Sequence, residues 1–214
     1  VTCMDRGIGK ILQTIKDQGI EDNTLVLFHS DNGGIGRGRA GSNGELKGHK
    51  FQVWEGGVRS PAIIKWPAGL EGKRTIEQVM GYVDVFPTIC EIIGVESKDS
   101  KPLDGISMYS ILKGEKDSIK RDLFLGHGAM INNHWKLIKA NSGNQFMNIQ
   151  EDYLFEIPPD YSEKNNVKSE NLNIYNELLK KVAVYDAIVA DEVLERNKGK
   201  EGFVAPEDWK IHDH

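Results

Sequence analysis

The hydrophobic pattern at the start of the chain predicts a helix followed by a buried strand. Apolar residues recur at helical spacing over residues 4–18, and Gly19 supplies a stop. An apolar run at residues 24–29 then ends in Ser30-Asp31-Asn32-Gly33. Such a run, bounded by turn residues, is typical of a strand buried on both faces of a parallel sheet. Helix and strand together form the second half of a βαβ unit, whose first strand is expected to precede Val1.

The next hundred residues continue the α/β pattern. Residues 58–66 predict a strand with Pro61 near its start. Asp84 is expected to cap a helix over residues 85–93, which Gly94 ends, and residues 108–112 predict a short helix.

The pattern changes after about residue 121. Strands are predicted at residues 123–125, 129–131, 134–139 and 152–157, and the turns between them are short. Strands met in succession favour a small antiparallel sheet. A helical stripe at 170–196 is expected to pack on that sheet, and the tail is expected to be anchored by Phe203 and Trp209.

We therefore predict two domains. Residues 1–118 form part of an α/β domain with a mostly parallel sheet, and residues 119–214 form a small α+β domain with an antiparallel sheet and one long helix.

Composition narrows the class of protein. The 214 residues are 39% hydrophobic and 28% charged, which is ordinary for a globular protein. The net charge of −5 argues against a nucleic-acid partner, and no apolar run approaches the roughly 20 residues of a membrane helix. Cys3 and Cys90 show no metal spacing and are interpreted as small core residues.

The candidate chemistry lies directly after the first predicted strand. In open α/β sheets ligands bind beyond the carboxyl ends of the strands, where Asp31 and Asn32 stand. Carboxylate and amide oxygens suit hard cations such as Ca²⁺ or Mg²⁺. A glycine-rich loop over residues 33–50 follows, with basic residues Arg37, Arg39, Lys47, His49 and Lys50. Lys50 is a point charge that suits an anion, although Asp-Asn-Gly is also an ordinary turn and the loop is also compatible with a solvated connector.

Nine segments follow one another between residue 1 and about residue 160. They are Met4-Asp5-Arg6-Gly7-Ile8-Gly9, Asp22-Asn23-Thr24-Leu25-Val26, Ser30-Asp31-Asn32-Gly33, Leu46-Lys47-Gly48-His49-Lys50, Trp54-Glu55-Gly56-Gly57-Val58-Arg59-Ser60-Pro61, Asp84-Val85-Phe86-Pro87-Thr88, Leu103-Asp104-Gly105, Trp135-Lys136-Leu137-Ile138 and Tyr153-Leu154-Phe155. In their order and spacing these segments resemble the sulfatase family of the alkaline phosphatase superfamily.

The resemblance implies a role for each site residue. Sulfatases hydrolyse sulfate esters with a formylglycine nucleophile beside a calcium ion. Asp31 and Asn32 would then be metal ligands, and Lys50 would contact a sulfate oxygen and the leaving-group oxygen. His127, between two glycines, is a candidate substrate-binding residue at the pocket rim, with a structural role as the alternative. The implied substrate is a sulfated small molecule or carbohydrate, and the implied location is the periplasm or the cell exterior.

The sequence departs from the family pattern in three places. Lys47 stands where arginine is frequent, and Phe51 stands where glycine is usual. Neither Cys3 nor Cys90 begins the Cys-x-Pro-x-Arg nucleophile motif. We therefore interpret the chain as the C-terminal part of a sulfatase that needs its N-terminal portion and is inactive alone. Two alternatives stay open: a phosphate or phosphonate ester hydrolase of the same superfamily, and a non-catalytic binding module on a sulfatase frame.

Overall fold

The computed structural model describes residues 1–36, 41–96, 102–144, 146–188, 202 and 204. The predicted first helix is confirmed as α1, Thr2–Asp17, and Gly19 follows it with a φ of 69°. Among the described residues nothing covers the apolar stripe of α1 completely, and Ile11 is 61% exposed. Cys3 is exposed on this helix and Cys90 is only half-buried, so the prediction that both are core residues was wrong.

The first strand pair differs in detail from the prediction. Strand β1, Val26–His29, is half-buried and pairs antiparallel with β2, Ala62–Lys65. The second strand is shorter than predicted because Val58 belongs to the short helix α2, Glu55–Val58. This is the one strand pair that the described part of residues 1–118 contains, so a mostly parallel sheet stays a prediction.

Helix α3, Val85–Ile93, has the predicted bounds, and α4 is Tyr109–Leu112. Asp84 holds the N-cap position of α3, but its side chain does not cap the helix. Its carboxylate accepts hydrogen bonds from the backbone N–H of Gly81 (2.7 Å) and Ile106 (3.0 Å), and it forms a buried ion pair with Arg121. Instead of capping α3, the Asp84 carboxylate therefore connects three segments of the chain.

The predicted antiparallel sheet is confirmed. Its strands are β3, Leu123–Gly126; β4, Ala129–Ile131; β5, Trp135–Ile138; and β8, Tyr153–Glu156, in the order β3-β4-β5-β8. A small hairpin of β6, Gly143–Asn144, and β7, Met147–Asn148, lies in the connection between β5 and β8.

The two faces of this sheet have different partners. One face, with Met130, Leu137 and Leu154, packs on α5, Leu172–Asp186. The other face, with Ile138 and Phe155, buries a segment from the first half of the chain, Val53 and Trp54. The sheet therefore joins the two regions. The domain boundary at residue 118 stays a prediction.

Helix α5 ends earlier than the predicted 170–196. Tyr185 still packs on the sheet, whereas Ile188 is 71% exposed, so the contacts that favour the helix end near Asp186. The remaining predicted helix, with the anchors Phe203 and Trp209, lies outside the described residues. Among the described helices, none has the length and apolarity that crossing a bilayer requires.

Candidate active site

The predicted metal ligands lie at the end of β1, as the sequence indicated. The backbone N–H of Ser30 bonds to the carbonyl of Pro61 (3.1 Å), which extends the strand pairing to this point. Asp31 is exposed and Asn32 is half-buried. The amide nitrogen of Asn32 donates to the carbonyl of Gly33 (2.9 Å), which leaves its amide oxygen as the atom that a cation would take.

Three glycines allow the backbone at the end of β1 to pack directly against the backbone of α2. The N–H of Gly33 bonds to the carbonyl of Gly57 (3.0 Å), and a Cβ on Gly33 would lie 1.8 Å from the carbonyl oxygen of Gly56. A Cβ on Gly57 would lie 2.0 Å from the carbonyl oxygen of Gln52. Such distances exclude side chains. The Asp-Asn-Gly and Glu-Gly-Gly segments therefore meet backbone to backbone.

The structure brings the backbone of Lys50 to the same place. Its N–H donates to the carbonyl of Gly34 (2.9 Å), two residues after Asn32. Asn43 pins this loop: its side-chain oxygen accepts from the N–H of Gly34 (2.8 Å), and its amide donates to the carbonyl of Gly48 (3.0 Å). The Lys50 side chain is half-buried. Arg37 and Arg39, the other cations predicted for this loop, lie outside the described residues.

The donor set at the strand end fits a hard cation only in part. Asp31 and Asn32 offer the oxygen ligands that Ca²⁺ and Mg²⁺ take, but calcium takes six to eight. In the described residues no group of three or more His, Cys, Asp or Glu side chains is placed to hold a metal ion. A cation bound here would therefore need further ligands besides Asp31 and Asn32.

Lys47 has a different environment from the one that a basic loop suggests. Its Nζ lies 3.6 Å from the ring centroid of Trp54 and 5.3 Å from that of Tyr153. Burial lowers the pKa of Lys47, while the negative charge of Glu163 opposes that shift. An ammonium over aromatic faces is a cation–π contact. Lys47 therefore joins the loop to the aromatic core.

Sequence reasoning missed a buried charge cluster directly behind the site, which we call the Lys136 cluster: Lys136, Glu55 and Glu163. The Nζ of Lys136 lies 2.8 Å from carboxylate oxygens of both Glu55 and Glu163, and the Lys136 side chain is fully buried. The N–H of Glu55 donates to the other oxygen of Glu163 (2.7 Å). Burial raises the pKa of Glu163, and the charge of Lys136 partly opposes this.

One signal in the sequence points to this cluster. Lys136 occupies an inward position of β5, alternating with Leu137, on the face that also carries Ile138. A lysine at such a position requires a buried anionic partner. Its partner Glu55 lies 81 residues away in the sequence, so a local pattern could not identify this pair.

His127 lies at the tip of the β3–β4 turn, exposed and with a φ of 46°. The turn packs on the connection after β5: Lys139 N–H donates to the carbonyl of Gly128 (3.0 Å), and a Cβ on Gly128 would lie 2.6 Å from Cβ of Ser142. The substrate-binding role of His127 stays a prediction.

Comparison with known proteins finds sulfatases among the proteins similar to this chain. The sulfatase family model matches residues 1–95. Mouse steryl-sulfatase is 34% identical over 131 residues, which cover 58% of this chain and 21% of that protein. Human arylsulfatase D is 39% identical over 118 residues, which cover 52% and 20%. The crystal structure of Ps i-CgsB in complex with k-i-k-neocarrahexaose aligns with a TM-score of 0.74 and 28% identity over 86% of this chain and 41% of that chain.

The fold is alkaline-phosphatase-like. The chain is similar to sulfatases over residues 1–95 and to sulfatase relatives over 118–131 residues. It spans about a fifth of the length of the curated relatives it matches, since the aligned part is 21% of mouse steryl-sulfatase.

Proposed function

We propose that this chain is part of a calcium-dependent hydrolase of sulfate monoesters. The observation that carries the proposal is the backbone junction at Gly33, Gly34 and Gly57, which fixes Asp31, Asn32 and Lys50 at one strand end. The substrate is a sulfated small molecule or a sulfated carbohydrate.

Each residue has a distinct task in this proposal. Asp31 and Asn32 would hold calcium through oxygen atoms, and Asp31 is also suited to contact the hydrated aldehyde. When bound, calcium and the formylglycine hydrate supply positive charge at the sulfate and the nucleophile, respectively. The Lys50 ammonium donates to a sulfate oxygen and stabilises the negative charge that develops on the leaving-group oxygen as the S–O bond breaks. His127 would contact the leaving group.

Replacing Lys50 tests the proposal. We expect the protein expressed from its complete coding sequence to release inorganic sulfate from a panel of sulfate monoesters, and added EDTA to stop the reaction. Lys50→Ala should lower kcat/KM by roughly 10²–10³-fold, because it removes a donor to developing charge. Lys116→Ala, an exposed lysine elsewhere, is the matched control and should leave kcat/KM unchanged.

Three results would contradict the proposal. Lys50→Ala with wild-type activity would remove its catalytic role. A preference for phosphate or phosphonate monoesters would favour the other hydrolases of the superfamily. No calcium uptake and no aldehyde detectable by mass spectrometry would favour a binding module. Residues 1–214 alone should show no turnover, because they lack the nucleophile motif.

A further inference from the structure

An exposed pair of phenylalanines lies next to the proposed sulfate-binding lysine. The rings of Phe51 and Phe146 stack with their centroids 4.6 Å apart and an interplanar angle of 20°. Phe51 is 50% exposed and Phe146 is 42% exposed, so much of both rings faces outward in this structure. The Nζ of Lys50 lies 5.3 Å from the centroid of the Phe51 ring.

The pair is held in place from both sides. Asn144 donates its amide to the carbonyl of Phe51 (2.8 Å) and accepts from the N–H of Phe146 (2.8 Å). Gln52 donates its amide to the carbonyl of Phe146 (2.9 Å). Two segments 95 residues apart are thus bonded around one aromatic surface. A chance contact of two flexible side chains would not need these bonds.

The backbone at Phe51 is costly for a phenylalanine. Its φ is 76°, in the left-handed region that disfavours residues with a side chain. Glycine, which is usual at this position in the resembling family, adopts that conformation without strain. A large aromatic residue kept in a strained conformation next to an active site points to use of its ring.

The hairpin that carries Phe146 also lines a polar cleft of about 410 Å³. Its lining residues are Asn141, Ser142, Gly143, Asn144, Met147 and Asn148. Amide and hydroxyl groups beside an aromatic surface suit a sugar ring, whose C–H faces pack on aromatic rings and whose hydroxyl groups take hydrogen bonds.

We propose that Phe51 and Phe146 form a leaving-group subsite that packs against a sugar ring of the sulfate ester while Lys50 contacts the sulfate. This inference rests on the proposed function. The Phe51 ring lies 5.3 Å from the Nζ of Lys50, so the alcohol of a sulfate ester held by Lys50 would be within reach of that ring. The two rings would thereby select the alcohol and leave sulfate binding unchanged.

Two variants of the protein from its complete coding sequence test this subsite. Phe51→Gly removes one ring and suits the positive φ, so it is expected to fold. Phe146→Ser removes the other ring. On the monosulfated mono- and disaccharides that the wild type hydrolyses, each variant should lower kcat/KM roughly tenfold, mainly through KM. Inhibition by inorganic sulfate, which lacks an alcohol, should be unchanged in both.

Phe86→Ser is the matched control, since Phe86 is 51% exposed on α3. It should leave kcat/KM unchanged. Wild-type kcat/KM on the saccharides with both Phe51 and Phe146 replaced would overturn the subsite, and so would an equal loss of inorganic sulfate inhibition. Faster hydrolysis of a steroid sulfate than of every saccharide would overturn the assignment to a sugar ring. A wild type inactive on all sulfate esters would instead contradict the proposed function.

Discussion

Gly33 is the residue on which the geometry of the site depends most. Only a hydrogen atom separates its Cα from the carbonyl of Gly56, and the same backbone carries Asp31 and Asn32 on one side and leads to Lys50 on the other. A methyl group here cannot be accommodated by a side-chain rotation, because the opposing atoms are backbone.

We expect Gly33→Ala to lower the free energy of unfolding by about 1–3 kcal/mol or more, through overpacking against α2. The measurement is the denaturant midpoint of the protein from its complete coding sequence. Gly72→Ala is the control, because a Cβ there meets nothing within 4 Å among the described residues, and it should shift stability by under about 0.5 kcal/mol. Equal midpoints for the two variants would show that the junction relaxes.

For single residues, the sequence indicated which side chains could take part in the chemistry, but not which residues they contact. Asp31 and Asn32 were placed at a strand end from the apolar run that precedes them, and β1 confirms that position. Phe51 was noticed only as a departure from the family pattern. That it stacks on Phe146 depends on a contact 95 residues away, which no local pattern contains.

The Lys136 cluster connects three elements, namely α2, β5 and the loop after β8. Glu55 leads α2, whose glycines contact the strand end, so the cluster fixes α2 against the sheet behind the site. A buried charge triad is stabilising only while each charge is balanced by a well-placed partner and by hydrogen bonds. Removing one partner leaves an uncompensated buried charge, which destabilises the fold.

We expect Lys136→Met to lower the free energy of unfolding by about 3–5 kcal/mol, because two buried carboxylates lose their shared cation. Glu163→Gln should cost much less, about 1 kcal/mol, since burial already raises the pKa of Glu163 and glutamine still accepts from the N–H of Glu55. Denaturant unfolding of both variants checks the order. The reverse order would contradict the assigned roles.

The pH dependence of stability is a second test of the role of Glu163. A raised carboxyl pKa means that the contribution of Glu163 is fully present below its unfolded pKa of about 4.5 and is lost as pH rises through the folded pKa. The stability difference between wild type and Glu163→Gln should therefore change as pH rises above about 4.5 and then become constant. A pH-independent difference would show that Glu163 does not titrate abnormally.

Element boundaries show where local patterns are sufficient. Helix α3 has the predicted bounds because its apolar face and the stop at Gly94 both act within the segment. Strand β2 begins later than predicted because Val58 is drawn into α2 by hydrogen bonding to Trp54 (3.2 Å). Helix α5 ends where its sheet contacts end. Long-range packing, which a local sequence pattern does not contain, sets the start of β2 and the end of α5.

For the whole molecule, the sequence predicted the antiparallel sheet, and the structure shows which part of the first half of the chain packs on it. Val53 and Trp54, close to the site, are part of the hydrophobic core of that sheet. The mostly parallel sheet and the strand before Val1 stay predictions, because the described residues of the first region contain a single antiparallel pair. The apolar stripe of α1 was predicted correctly, although the described residues do not cover it.

The most direct test of the central claim is a crystal structure of the protein from its complete coding sequence with calcium and inorganic sulfate. We predict an anomalous calcium peak within roughly 2.3–2.6 Å of a carboxylate oxygen of Asp31 and the amide oxygen of Asn32. A sulfate oxygen should lie about 2.7–3.0 Å from the Nζ of Lys50. Calcium bound away from Asp31 and Asn32, or sulfate bound out of reach of Lys50, would contradict the account.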